Sequence, residues 1–192
     1  TGEFDYSVHL KENSLFDTET LKPPPPVIPP PPPTPPPPPP PKTVGAGELL
    51  LFSKLVDSMD ATFNYKFKCD QPVTELTEEV TIIAILENPE VWSKTFVLVP
   101  HTKKSGGFSV SFPLDINHFT EMLEAIRSET GVPAESYNLT IKADVHTTAQ
   151  TDFGPIDEVF SQTLSSALGK GTLEWNEELI QSKPVSITTS QM

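Results

Sequence analysis

Apolar and polar residues alternate with a period of two along much of the chain, and this alternation predicts β-strands. The clearest stretch is 61–69, in which every second residue from Ala61 to Cys69 is apolar. The same alternation, or a short apolar run between turn residues, predicts further strands elsewhere in the chain. We expect them over residues 4–10, 48–56, 80–86, 91–99, 108–112, 137–146 and 160–168.

One connection has the composition of a hairpin turn. The pair Gly106-Gly107 lies in the loop between segments 91–99 and 108–112. Glycine is common where a chain reverses between two strands, so we expect these two segments to pair with each other.

Segment 160–168 fits helical spacing as well as strand spacing. The strand is favoured because a Gly169-Lys-Gly171 turn follows the segment and leads into residues 173–175. That order is typical of a hairpin and its return strand.

Residues Asp115 to Thr130 have a helical period instead. Their apolar positions recur every three or four residues, and Gly131 follows as a common helix terminator. Together, many alternating segments and one helix predict a mainly β fold. We expect an antiparallel β-sandwich, immunoglobulin-like or jelly-roll-like, of about seven to nine strands with one principal α-helix.

A proline tract separates the first predicted strand from the rest. Of the 23 prolines, 16 lie within residues 23–41. Proline lacks an amide donor, so this tract predicts polyproline II, extended over about 60 Å at most. The expected organisation is therefore an N-terminal strand and turn (1–22), an inserted polyproline II tract (23–41) and a body (42–192) that forms one domain with strand 4–10.

Charge and hydropathy exclude two classes of partner. The 192-residue chain has 13 Lys and Arg against 26 Asp and Glu, a formal net charge of −13. An acidic surface repels phosphate, so we expect no nucleic-acid partner. No apolar run is long enough to span a bilayer, so membrane attachment is expected only through an anchor absent from this chain.

The residue types that usually catalyse reactions or bind metals are dispersed. The histidines occur singly, at His9, His101, His118 and His146. We interpret them as solvated surface residues, because metal ligands usually come in clusters with set spacings. Cys69 ends the apolar side of its predicted strand, which indicates a buried, inert thiol. The sequence has no catalytic or nucleotide-binding motif, so we expect neither an enzyme nor a bound cofactor.

Two further features concern ions and glycans. The carboxylates are numerous, but none follows the spacing of a calcium-binding loop. They leave open a surface calcium site beside the simpler interpretation that they keep the protein soluble. The sequence Asn138-Leu-Thr140 is an N-glycosylation acceptor on the outward side of a predicted strand, relevant only if the protein is exported.

Several segments together resemble a known family. They are Phe4-Asp-Tyr-Ser-Val-His-Leu-Lys-Glu-Asn-Ser-Leu-Phe16, Phe63-Asn-Tyr-Lys-Phe67, Trp92-Ser-Lys94, Ser128-Glu-Thr-Gly131 and Ile141-Lys-Ala-Asp-Val-His146. With them, almost the whole chain outside the proline tract resembles a domain-of-unknown-function family of exported archaeal and bacterial proteins. Members typically carry an N-terminal membrane anchor, often a second anchor after the domain, and some occur near signal-peptidase-like genes.

This resemblance implies a location outside the cytoplasmic membrane, and it assigns no activity or functional residue. The chain departs from the family pattern through the insertion 23–41 and through the lack of an anchor. The second departure favours a released or assembled protein.

These observations favour a non-catalytic structural protein, a subunit of a cell-surface filament or layer. Strand 4–10 is separated from the body by a long connection, so it could complete the sheet of a neighbouring subunit by strand donation. Its apolar side would fill the acceptor groove, and its members are Phe4, Tyr6, Val8 and Leu10. An ordinary first strand, paired within its own subunit, is the alternative use of these residues.

A second function class is a binding module. In this interpretation an anchored or secreted domain presents the proline tract 23–41 to an aromatic groove of a protein partner.

Overall fold

The structure, a computed structural model, describes residues 1–11, 20–21, 51–52, 56–131, 137–168, 172–175 and 179–184. These residues form eleven β-strands and one α-helix, so the fold is mainly β, as predicted. The strands are β1 (Gly2–Leu10), β2 (Thr20–Leu21), β3 (Leu51–Phe52), β4 (Val56–Tyr65), β5 (Thr74–Asn88), β6 (Trp92–Lys104), β7 (Phe108–Leu114), β8 (Tyr137–Thr151), β9 (Gly154–Leu168), β10 (Thr172–Leu173) and β11 (Ile180–Gln181). The helix is α1 (Ile116–Thr130). The proline tract 23–41 and the tail 185–192 lie outside the described residues.

The long strands form two antiparallel sheets, which confirms the predicted β-sandwich. In sheet I the order is β11-β1-β4-β7, and β2 pairs with the edge of β1 that β4 leaves open. In sheet II the order is β6-β5-β8-β9. The short strands β3 and β10 pair with each other outside both sheets.

The core lies between the facing surfaces of the two sheets. Successive residues of a strand point to opposite faces, and every second residue of β8 from Tyr137 to Ala149 is buried. Tyr65 of sheet I joins the layers: its ring centroid lies 5.5 Å from that of Phe160, and its hydroxyl lies 3.1 Å from the Thr147 hydroxyl. Alternation in the sequence therefore becomes a single core shared by both sheets.

Helix α1 begins and ends where the sequence predicts. The Asp115 side chain accepts a hydrogen bond from the His118 amide at 2.9 Å and so caps the first turn. Gly131 adopts a left-handed φ of 65° and donates its amide to the Arg127 carbonyl at 3.0 Å. On the buried side of the helix, the Phe119 ring packs 5.5 Å from the Phe96 ring of β6.

The strand predicted at 61–69 is shifted towards the N-terminus, because β4 spans Val56–Tyr65. Its polar start still pairs with β1, where Asp60 lies opposite Ser7. Its end coincides with the ends of both neighbours, since Tyr65 lies opposite Gly2 of β1 and Phe108 of β7. Strand partners thus set the limits of β4. The pairing extends one residue further at Lys66, whose amide donates to the Thr1 carbonyl at 2.8 Å and whose carbonyl accepts from the Thr1 ammonium at 2.9 Å.

The predicted hairpin between 91–99 and 108–112 is wrong. β6 pairs with β5 in sheet II, whereas β7 pairs with β4 in sheet I, so the Gly106-Gly107 loop crosses between the sheets. The turn between β5 and β6 is shorter than the Gly106-Gly107 loop. In it, the Val91 amide donates a hydrogen bond to the Asn88 carbonyl at 3.0 Å immediately after β5. β5 and β6 are thereby the hairpin.

Two other predicted segments also differ. Segment 160–168 is a strand, as favoured, but residues Thr172–Leu173 of β10 pair with β3 and not with β9. Of the strand predicted over 48–56, residues 51–52 form β3 and Val56 starts β4. The remaining positions of that prediction lie outside the described residues.

We predict a large loss of stability for Phe63→Ala. Phe63 is fully buried at the centre of sheet I, and its ring lies 4.9 Å from that of Phe4. Chemical denaturation should show the free energy of unfolding reduced by about 3–5 kcal/mol. The matched substitution Phe153→Ala, at a side chain 57% exposed, should change it by less than about 0.5 kcal/mol. Equal effects of both substitutions would contradict the packing described here.

Candidate functional site

The residues proposed for assembly lie in the middle of sheet I. Phe4, Tyr6 and Val8 are 2%, 6% and 0% exposed, and Leu10 is the last residue of β1, opposite Val56. Burial raises the pKa of Tyr6 to about 12, with a further contribution from the Asp5 carboxylate. The apolar side of β1 is therefore part of the core that its own chain encloses.

β1 is paired along both of its edges. One edge pairs with β4 from Gly2 to Leu10. The other pairs with β11 at Gly2 and Glu3 and with β2 at Val8 and His9. Within one chain, β1 thus behaves as an ordinary strand, and donation would require it to occupy the same position in a neighbour.

A cluster of charged side chains, the histidine–carboxylate cluster, lies on the outer face of sheet II. It consists of Glu79, His101, Lys103, His146 and Asp157. The Glu79 carboxylate lies 3.2 Å from His101 Nε2, 3.5 Å from Lys103 Nζ and 3.7 Å from His146 Nδ1. His146 Nε2 lies 2.6 Å from the Asp157 carboxylate. These histidines are isolated along the sequence, whereas the structure brings two of them, His101 and His146, to the Glu79 carboxylate.

Each carboxylate in this cluster favours a protonated neighbour. The hydrogen bond to Asp157 raises the pKa of His146, and the negative charges of Asp157 and Glu79 add to the effect. The hydrogen bond from His101 lowers the pKa of Glu79, with further contributions from the charges of His101 and Lys103. The two nitrogens of His146 face different carboxylates, so the donors do not converge on one point. Among the described residues, no group of three or more His, Cys, Asp or Glu could hold a metal ion.

We predict that the interaction between His146 and Asp157 depends on pH. The pKa of His146 is raised in the folded state. The stabilisation is therefore fully present below the unfolded-state pKa of about 6.5 and is lost as pH rises through the folded-state pKa. The difference in the free energy of unfolding between wild type and Asp157→Asn should therefore be larger at about pH 5.5 than at about pH 9. Titration of the His146 imidazole by NMR should also show its pKa lowered in Asp157→Asn.

The control is Glu158→Gln, which removes the 3.2 Å ion pair between Glu158 and Lys183. This pair contains no imidazole, so the control should show no comparable dependence on pH over this range. An unchanged His146 titration in Asp157→Asn would contradict the assignment.

Glu78, next to Glu79 in β5, points to the opposite face and is fully buried. Its Oε2 accepts a hydrogen bond from the Gly107 amide at 3.0 Å, while its Oε1 has no partner. Burial raises the pKa of Glu78, and the hydrogen bond from Gly107 offsets part of that rise. Glu78 also contributes to the raised pKa of Tyr65, although burial is the main cause there. The carboxyl group is thus held where its charge is unfavourable.

We predict opposite effects for the same substitution at these neighbouring residues. Because the folded-state pKa of Glu78 is raised, ionisation destabilises the fold as pH rises above the unfolded value of about 4.3. Glu78→Gln should therefore increase the free energy of unfolding at about pH 8, and by less at about pH 4. Glu79→Gln should decrease the free energy of unfolding at about pH 8, because the pKa of Glu79 is lowered. Denaturant unfolding at both pH values measures the two changes, and equal signs would refute the interpretation.

An open cleft of about 820 Å³ lies beyond the end of β4. It is lined by side chains from 65–71, from 153–160 and from Lys183 and Pro184. Cys69 lies in this lining and is half-exposed, so the prediction of a buried thiol is wrong. Cys69 lies beyond the end of β4 at Tyr65 and is therefore outside the alternating strand that the sequence predicts.

Asn138 lies on the outer face of sheet II, as the alternation predicts. It belongs to β8, between Glu87 of β5 and Ala167 of β9, and its side chain is half-exposed. Thr140 of the same sequon is also half-exposed, and its hydroxyl lies 3.1 Å from that of Ser165. Both polar residues of the acceptor sequence thus lie on one face.

No helix in the described part of the chain is long and apolar enough to cross a membrane. The sequence matches no known family model, and a search of curated proteins returns no match. Among solved structures, the chain is similar to one titled as the crystal structure of a protein from Archaeoglobus fulgidus. The two are 10% identical over 65% of this chain and 88% of that chain, with a TM-score of 0.25. A similarity this low supports no inference about function.

Proposed function

We propose that this chain is a non-catalytic structural subunit of an extracellular filament or layer, in which β1 of one subunit takes the place beside β4 in its neighbour. The observation that supports the proposal is the position of β1. It is an interior strand whose Phe4, Tyr6 and Val8 side chains are buried, yet the next long strand of its sheet begins only at Val56. A connection of that length is unusual between paired strands of a compact domain.

Exchange of β1 would preserve the contacts that the chain makes with itself. The buried side chains of Phe4, Tyr6 and Val8 would enter the same positions opposite Phe63, Ala61 and Met59. Each such side chain contributes about 1.5–3 kcal/mol when buried, so an acceptor without β1 would be strongly destabilised. The arrangement with β1 paired in its own chain and the exchanged arrangement differ mainly in the path of the connection between β1 and β4. Exchange is therefore a low-cost route to assembly.

The extracellular location rests on two features of the sequence. The resemblance to a family of exported proteins implies a position outside the cytoplasmic membrane. In addition, Asn138 and Thr140 of the N-glycosylation acceptor lie half-exposed on the outer face of sheet II, where a glycan would not disturb the core.

Exchange can be tested with cysteines on facing strands. Asp5 of β1 lies opposite Thr62 of β4, and opposite residues of an antiparallel pair are close enough for a disulfide. Chains with Asp5→Cys and chains with Thr62→Cys, both also with Cys69→Ser and distinguished by a mass tag, are mixed under assembly conditions and oxidised. We predict a disulfide between the two kinds of chain in the assembled fraction.

The matched control replaces Thr62→Cys by Ser58→Cys, which lies on the same face of β4 opposite His9. It should give far fewer disulfides with Asp5→Cys, because the two positions are four residues apart along the strand. Deletion of residues 1–12 should abolish assembly, and a peptide of those residues should bind the truncated chain. Fibres formed by the truncated chain, or disulfides that do not distinguish Thr62 from Ser58, would overturn the proposal.

A further inference from the structure

Each sheet of the sandwich has two edges, and the chain protects three of these four edges within the described residues. At one edge of sheet I, β11 and β2 pair with parts of the side of β1 that β4 leaves open. One edge of sheet II is β9, whose Thr163 and Val159 carbonyls accept hydrogen bonds from the side chains of Gln181 and Lys183 at 3.4 and 3.0 Å. An edge satisfied in this way has fewer groups left to pair with another chain.

The second edge of sheet II, β6, carries the features by which proteins discourage edge pairing. It has lysines at Lys94, Lys103 and Lys104, and Pro100 lacks an amide donor. Its register with β5 shifts twice, between Val80 and Ile83, which indicates bulges. A second strand would therefore meet charge, a missing donor and an irregular backbone on β6.

The remaining edge, β7, has almost none of these features. The ten residues 105–114 include no charged side chain, although the chain as a whole is 20% charged. The register of β7 with β4 is unbroken from Phe108 to Leu114. Pro113 limits the free edge to residues 108–112, and no other described segment pairs with it. A regular, uncharged edge of this kind is suited to pairing with another strand.

We propose that the β7 edge binds β7 of a second copy of this chain, antiparallel, so that the two copies of sheet I become one continuous sheet. An antiparallel pair of identical strands is related by a twofold axis, and its contact is self-complementary. This inference does not rest on β1 exchange, because β1 and β7 lie on opposite sides of β4.

The lack of charge at this edge suits a second copy as the occupant. Two copies with a formal net charge of −13 repel each other, so a contact between them is most favourable where neither presents charge. The outer face at β7 is such a region. Ser109 Oγ donates to Asn64 Oδ1 at 2.6 Å, and the Ser111 hydroxyl lies 2.9 Å from that of Thr62, so the two residues of β4 opposite these serines are also uncharged.

Alternation restricts the register of this pairing. A twofold axis perpendicular to the sheet keeps outer faces together, so an outward residue must lie opposite an outward residue. Ser109 and Ser111 are the outward residues of 108–112, and both are exposed. Three registers place these serines opposite each other: Ser109 opposite its copy, Ser111 opposite its copy, or Ser109 opposite Ser111.

Disulfide formation distinguishes these registers. Ser109→Cys alone, Ser111→Cys alone and a mixture of the two, each in a Cys69→Ser chain, are oxidised under mild conditions. We expect cross-linked dimers in one of the three samples well above the other two. A matched Ser93→Cys variant on the β6 edge should cross-link poorly. Equal cross-linking of all variants, or none in any sample, would overturn the proposal.

A second measurement does not depend on cross-linking. Sedimentation equilibrium over a concentration series should show dimers of the full chain, and Ser109→Lys with Ser111→Lys should weaken the association about tenfold or more, because like charges then face each other. The control, Ser93→Lys with Thr95→Lys on β6, should leave it unchanged. Thermal unfolding of both double variants checks that they fold.

A full chain that stays monomeric, or a β6 control that weakens association equally, would contradict pairing through β7. These variants leave β1 intact, so the Asp5–Thr62 experiment reports separately on the proposed function. Disulfides there without β7 cross-links would support exchange alone, and the converse result would support only the β7 contact.

Discussion

Which alternate residues of each strand face the core is the constraint on which the rest of the molecule depends. In sheet I, the register places Phe4, Phe63 and Val110 in one row across β1, β4 and β7. A slip of one residue in β1 would turn its apolar side to solvent and move Asp5 and Ser7 into the core. Because sheet II has the same dependence, the two layers fix each other, and each residue has a defined face.

The same alternation produces the chemical contrast within β5. Glu79 points outward to two histidines and a lysine, and its pKa is lowered. Glu78, one residue earlier, points into the core, where burial raises its pKa. Two identical side chains therefore contribute to stability with opposite signs, and the only cause is the face of the sheet that each occupies.

The sheet edges give the two proposals a common physical basis. A β-sandwich leaves backbone donors and acceptors unpaired wherever a sheet ends, and these groups bind another strand unless something prevents it. Exchange of β1 and pairing through β7 would use opposite sides of sheet I. A subunit that used both contacts would touch two neighbours, which is the requirement for a chain of subunits rather than a closed dimer.

The sequence by itself determined the local structure of this protein. Alternation and helical spacing identify the fold class, helix α1 with its Asp115 and Gly131 ends, and the faces of Phe4 and Asn138. Only the tertiary structure decided which strands are neighbours. Strand pairing depends on distant backbone, so the Gly106-Gly107 loop gave no sign that it crosses between sheets, and β4 ends where its partners end. For the same reason only the tertiary structure shows that His101 and His146 are neighbours. They lie on strands far apart in sequence, and β5 places Glu79 between them.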